Sequence, residues 1–176
     1  GSSPASTAYL FGKDIGRKKG EKYLSSFINQ EILPPMSPID IFERAWCLLP
    51  IILLDENNLF NGSINKHLDY LERSWTKNGV GPSREFTIPD LDDTAVVFYL
   101  LGKNNKPRDP AVLERFETAD GFMCFPGERS GSGSYYAHLL FALSTCESDN
   151  RIERMRQKAL QFLLKTQNSY GFWDDK

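Results

Sequence analysis

A chain of 176 residues, 40% hydrophobic and 25% charged, is long and apolar enough to bury a sizeable core, which excludes disorder of the chain as a whole. A formal net charge of −2 with both signs interspersed excludes the basic field that drives phosphate-backbone binding, so no nucleic-acid partner is expected. The longest apolar stretch, Ala45 to Leu54, is interrupted by Pro50 and falls well short of the ~20 residues a bilayer-crossing helix needs, so no membrane span is expected.

Taken in chain order, the opening GSSPASTAYLFGKD has neither the basic-then-apolar pattern of a secretory signal nor an Arg-rich amphipathic pattern, and a cytoplasmic location is expected. Apolar residues recur with helical spacing over 5–12, 18–30, 38–54, 63–77, 90–103, 110–117, 133–146 and 150–167, and no strand pattern competes with them. Turn residues separate these segments: Leu33 to Pro38, Asn61-Gly62-Ser63, Asn78 to Pro82, Lys106-Pro107 and Gly127 to Gly133. Ser37 ahead of Pro38, with Asp40 following, reads as an N-cap with proline in the first turn. Helices joined by short loops pack as antiparallel hairpins, so the expected fold is all-α, a partial α/α barrel. Neither end has the character of a domain boundary, and further chain is expected on both sides. Cys47, Cys124 and Cys146 are odd in number and widely spaced among apolar or helix-forming neighbours, which suits reduced, buried thiols better than disulfides or zinc.

The most unusual stretch runs from Thr87 to Leu101, where Asp90, Asp92 and Asp93 precede a run that is apolar on all sides. Such a run is a buried helix, which places its first turn at the floor or wall of a cavity. Burial and mutual repulsion both disfavour ionisation, so at least one of the three carboxyls should stay protonated near neutral pH, opposed by the positive end of the helix. Helical spacing sets Asp90 and Asp93 on one face and turns Asp92 away. Asp90 is expected to cap in ionised form, with Asp92 or Asp93 carrying the proton. Two plainer readings compete: an acidic N-terminus that only complements the helix dipole, and a magnesium site, against which stands the lack of a second acidic cluster nearby.

This segment resembles the DxDD motif of the class II terpene cyclases of the copalyl diphosphate synthase type. Ser3-Pro4-Ala5-Ser6-Thr7-Ala8 is similar to the family's SPASTA-like stretch, and Pro38 to Trp46 to its P-[IV]-D-L-F-E-R-x-W stretch. Leu68-Asp69-Tyr70, Trp75 and Gly79-Val80-Gly81 then follow in order, ahead of Ile88 to Ala95. Phe122 to Arg129 resembles F-x-C-F-x-G, with a Glu128-Arg129 pair of fungal character, and Gln167 to Trp173 a degenerate Q-x-x-D-G-S-W motif. The resemblance implies residues 1–30 as the junction of γ and β domains and 31–176 as the first part of the β domain, with a γ domain, the rest of the β domain and a class I α domain in the same bifunctional protein. It implies geranylgeranyl diphosphate as substrate, Asp92 as proton donor, Asp90 and Asp93 as its tuning partners, and magnesium assisting the diphosphate through ligands outside this chain.

Alkenes accept protons only from an undissociated acid held in a dry site, and the cations that follow need π-faces. Trp46, Trp75, Phe122, Phe125, Tyr135 and Tyr136 are the aromatic candidates, each with core packing as its plainer role. Pro82-Ser83-Arg84 stands where relatives carry Trp-Ala-Arg, and residues 128–138 depart from the expected Asn-containing stretch, so the pocket wall and the quench of the cation are expected to differ. His138, beside Leu139 and Leu140, reads as a satisfied core histidine more readily than as a base, and His67 lies on a polar face. A triterpene cyclase and a non-catalytic α/α-barrel scaffold are the competing functions.

Overall fold

The computed structural model describes residues 39–54, 61–85, 88–128 and 131–173, plus helical positions 18, 19, 21, 22 and 25. The chain divides into two compact units, Gly1–Pro38 and Ile39–Lys176. In the first, the described positions fall within the predicted 18–30 helix. The predicted 5–12 helix, the Ser37 cap and the 30/31 domain boundary lie outside the described residues.

The second unit is helical, and its described residues contain isolated bridges but no strand. Helix α1, Asp40–Leu54, buries Ile41, Ala45 and Leu48, one face at intervals of four and three, and carries Pro50 on its exposed side. Its first free amides are taken up by a loop, since Ile41 N–H and Phe42 N–H both donate to Pro82 O at 3.1 Å. Helix α2, Asn61–Ser74, buries Ile64, Leu68 and Leu71 at the same intervals. It stops three residues before its predicted end, because Thr76 and Gly79 bond each other and Gly79 turns the chain at φ +96°.

Helix α3, Leu91–Lys103, is buried on nearly every side, as its uninterrupted apolar run predicts. It separates two cores. Leu91, Ala95 and Phe98 face Leu113, Tyr136, Leu139 and Met155, while Val97, Leu100 and Leu101 face Ile41, Ala45, Leu68 and Leu71. The predicted 110–117 helix shrinks to one turn, α4, Ala111–Glu114, after which Glu117 bridges to Phe122. Helix α5, Gly133–Leu143, ends three residues early where Thr145 and Cys146 amides bond three residues back, a tightening of the last turn. Helix α6, Asn150–Thr166, starts on Asp149, whose carboxylate accepts from Ile152 N–H at 2.7 Å. It packs on α5, which packs on α3. The thiols are all free, and Cys124 is buried as expected, but Cys47 is exposed because it lies on the outward side of α1.

Candidate active site

The first turn of α3 is held by two loops. Asp90 sits in extended backbone, φ −125°, ψ 158°, and its Oδ1 accepts from Asp93 N–H at 2.7 Å. Asp90 N–H donates to Val80 O, and Leu91 N–H to Cys124 O. Thr94, fully buried, donates its hydroxyl to Val80 O and accepts from Val80 N–H. A Cβ on Gly79 would meet Thr94 Oγ1 at 2.4 Å, so this close approach needs glycine.

This clamp turns Asp90 and Asp93 inward, to 2% and 4% exposure. Burial, reinforced by the Asp90 charge, pushes Asp93 up to about 9, so it is neutral at physiological pH. Burial also raises Asp90, to about 6, against the opposing bonds from Asp93. Asp90 Oδ2 and Asp93 Oδ1 are buried without hydrogen-bond partners among the described residues. Cys124 completes this interior side, its thiol 4.0 Å from Asp90 Oδ1 and pushed up to about 12 by burial.

Asp92 points the other way, as helical spacing requires, toward α5. Its Oδ1 lies 2.6 Å from His138 Nδ1, and the two side chains are 29% and 19% exposed. Asp92 is thus the one member of the triplet with a surface, and its enclosure is partial where a closed apolar hollow was expected. His138, read from sequence as a core histidine, is instead the acid's partner; nothing local in the sequence marks it, since 46 residues separate the two. His67 is exposed, as its polar face predicts.

Of the six aromatic candidates, Trp46 meets the histidine that pairs with Asp92, its ring centroid 5.1 Å from that of His138. Trp75 packs on Phe98 at 6.1 Å. Tyr136 is covered by Phe162 at 3.8 Å and Tyr135 at 5.0 Å, and meets Phe122 edge-on. These four rings, Trp75, Phe122, Tyr135 and Tyr136, take the core role. Both tyrosine hydroxyls bind the backbone of Phe122, which fixes the segment leading to Cys124. Phe125 is exposed, at 42%. Sequence reasoning gave Glu128 no role, yet its Oε2 accepts from Cys124 N–H at 2.6 Å and from Tyr135 hydroxyl at 3.2 Å, closing the same loop.

A cavity of about 300 Å³ lies beside the turn, lined by Ile41, Arg73, Arg84, Val80 and Pro89 among others, and includes none of the three carboxyls. Among the described residues no three His, Cys, Asp or Glu side chains converge as a metal would require, so the described residues do not by themselves fit a magnesium ion.

The chain as a whole is similar to known proteins. The chain is 35% identical to the syn-copalyl diphosphate synthase of Oryza sativa subsp. japonica over 132 residues, 74% of this chain and 17% of the relative. It is 29% identical to ent-copalyl diphosphate synthase AN1 of Zea mays over 178 residues, 99% of this chain and 21% of the relative. Its fold matches Arabidopsis thaliana ent-copalyl diphosphate synthase, solved with (S)-15-aza-14,15-dihydrogeranylgeranyl thiolodiphosphate, at TM-score 0.76 and 27% identity, over 98% of this chain and 25% of that one. Abietadiene synthase from Abies grandis gives TM-score 0.73 at 27% identity, over 93% and 22%. No family model matches. The fold is that of the helical domains of class II terpene cyclases. Over this segment the chain is a homologue of the copalyl diphosphate synthases, of which it spans about a fifth.

Proposed function

We propose that this chain is the acid-bearing part of a class II diterpene cyclase that protonates geranylgeranyl diphosphate and closes it to a copalyl-type diphosphate. The observation that carries the reading is the Asp92–His138 pair, set on the rim of a buried helix whose other two carboxyls are turned inward. Asp92 is the proton donor because it alone of the three can touch a substrate. His138 Nδ1–H donates to Asp92 Oδ1, which leaves Oδ2 to carry the proton to the terminal alkene. As Oδ2 loses the proton, negative charge develops on the carboxyl and the bond from His138 strengthens, so the pair favours the transition state over the ground state. Asp93, neutral, adds no charge that would oppose this step, and Asp90 holds the turn.

Residues 1–30 as a γ/β junction, 31–176 as the start of the β domain, and a γ domain and further β-domain helices elsewhere in the protein belong to the same proposal. So do a fungal, bifunctional parent with a class I α domain and a cytoplasmic location, although plant relatives are named as chloroplastic. Magnesium assistance at the diphosphate is assigned to residues outside this chain, and no step here is routed through it.

The test is incubation of the full-length protein with geranylgeranyl diphosphate, followed by dephosphorylation and identification of the alcohol. The wild type should yield a bicyclic copalyl-type alcohol, and Asp92→Asn should lower its rate by roughly 10²–10⁴, the span typical of a lost general acid. Undiminished turnover by Asp92→Asn would remove Asp92 from the mechanism, and turnover of squalene instead would make the enzyme a triterpene cyclase.

A further inference from the structure

Trp46 is one of the six aromatic residues that sequence reasoning would set against the carbocation, but its surroundings in the fold give it another task. It lies on α1, and its indole is engaged on two sides. Phe42, one turn earlier on the same helix, stacks on it with centroids 4.7 Å apart and planes at 26°. His138 of α5 meets it at 5.1 Å and 72°, an edge-to-face contact. The far side of the imidazole pairing is Asp92 on α3, at 2.6 Å. Three helices therefore contribute one file of groups: Phe42, Trp46, His138, Asp92.

A single hydrogen bond to one ring nitrogen leaves an imidazole free to swing about its outer torsion, which is soft for sp³–sp² bonds. What stops that motion is a packed neighbour, and the neighbour here is Trp46. Loss of even a small part of the alignment at a proton donor is costly in rate, because proton transfer depends steeply on geometry. We infer that Trp46 is a positioning residue for the acid: it fixes the His138 ring so that Nδ1 stays on Asp92, and does not meet the reacting cation itself. The inference rests on Asp92 being the acid, as proposed above.

A double-mutant cycle in the full-length enzyme separates the two roles of the indole, read as single-turnover rate and as product identity with geranylgeranyl diphosphate. Trp46→Leu should slow product formation roughly tenfold, with KM changed less than about twofold and the same alcohol recovered after dephosphorylation. Trp46→Phe, which retains a flat ring against His138, should recover most of the rate. In a His138→Ala background the Trp46→Leu change should cost less than about twofold, since the group it acts through is gone. The same cycle run with Trp46→Phe carries the test if Trp46→Leu melts at the assay temperature, and its smaller loss should likewise vanish without His138.

Additive losses in the His138→Ala background would overturn the inference. So would diversion of the Trp46 variants to less cyclised products, which marks a ring that faces the cation, or an unchanged rate in Trp46→Leu. Failure of the underlying reading looks different: there Asp92→Asn itself keeps its turnover. An enzyme that dies with Asp92→Asn but loses rate additively at Trp46 and His138 refutes only the positioning role.

Discussion

Three aspartates within four positions end in three different surroundings: a buried cap, a buried neutral acid, and a half-exposed acid paired with histidine. The consequence for pH is direct. Asp90 and Asp93 titrate above their ordinary 3.8 in the folded protein, so over that interval the fold holds protons that the unfolded chain releases. Their contribution to stability is complete below 3.8 and is lost as pH rises through about 6 and on to about 9. Glu72, held below 4.5 by hydrogen bonds from Lys106 and Arg108, has the opposite sign and loses its contribution as pH falls below 4.5. Glu117 behaves likewise: burial pushes it up, but bonds from Arg154 and Lys158 outweigh this. The melting temperature should therefore peak on the acidic side of neutrality and decline toward pH 9. Asp93→Asn should flatten that decline in a thermal-melt series, and an equally steep fall in the variant would locate the effect elsewhere. The cap at Asp90 was legible in the sequence because capping is a local affair of a few residues. Which of the other two carboxyls is buried was not, because that depends on which one the loops at Val80 and Cys124 cover.

At the scale of elements, the first turn of α3 is stable because two loops close on it and not by helix propensity alone. Thr94 is the clasp, bonded to both the N–H and the C=O of Val80. Thr94→Val keeps the shape, leaves the buried Val80 N–H without its partner and Val80 O with only the bond from Asp90 N–H, and should cost about 1–3 kcal/mol in urea unfolding. Gly79→Ala meets both the positive φ and the Thr94 hydroxyl, so it should destabilise by more than the roughly 1 kcal/mol that a strained turn glycine alone would give. If Thr94→Val unfolds at the wild-type midpoint, the clasp is dispensable. Helices α3 and α6 were readable in outline from periodicity, whereas the ends of α2, α4 and α5 were not. There the chain leaves the helix to make Thr76–Gly79 and Glu117–Phe122 pairings, which a continuing apolar pattern conceals.

At the scale of the whole molecule, α6 buries Ile152, Met155 and Ala159 against α5 yet leaves Leu160 and Leu164 exposed at 41% and 73%. Tyr170, Phe172 and Trp173 beyond it are exposed as well. Apolar surface of this kind drives association, so the 176-residue chain expressed by itself should self-associate in sedimentation velocity. Leu160→Lys with Leu164→Lys should shift it toward monomer with an unchanged helical spectrum; a monodisperse wild-type chain would contradict this. The sequence alone determined the buried central helix, the helical class of the fold and the acidic turn at its head, because periodicity and capping act over a few neighbouring residues. Only the tertiary structure decided that His138, 46 residues away, takes Asp92, that Trp46 backs it, and that four of the six aromatic rings belong to the core. Those contacts join positions on different helices, and the docking of helices is set by how whole faces fit together, which no local pattern of residues encodes.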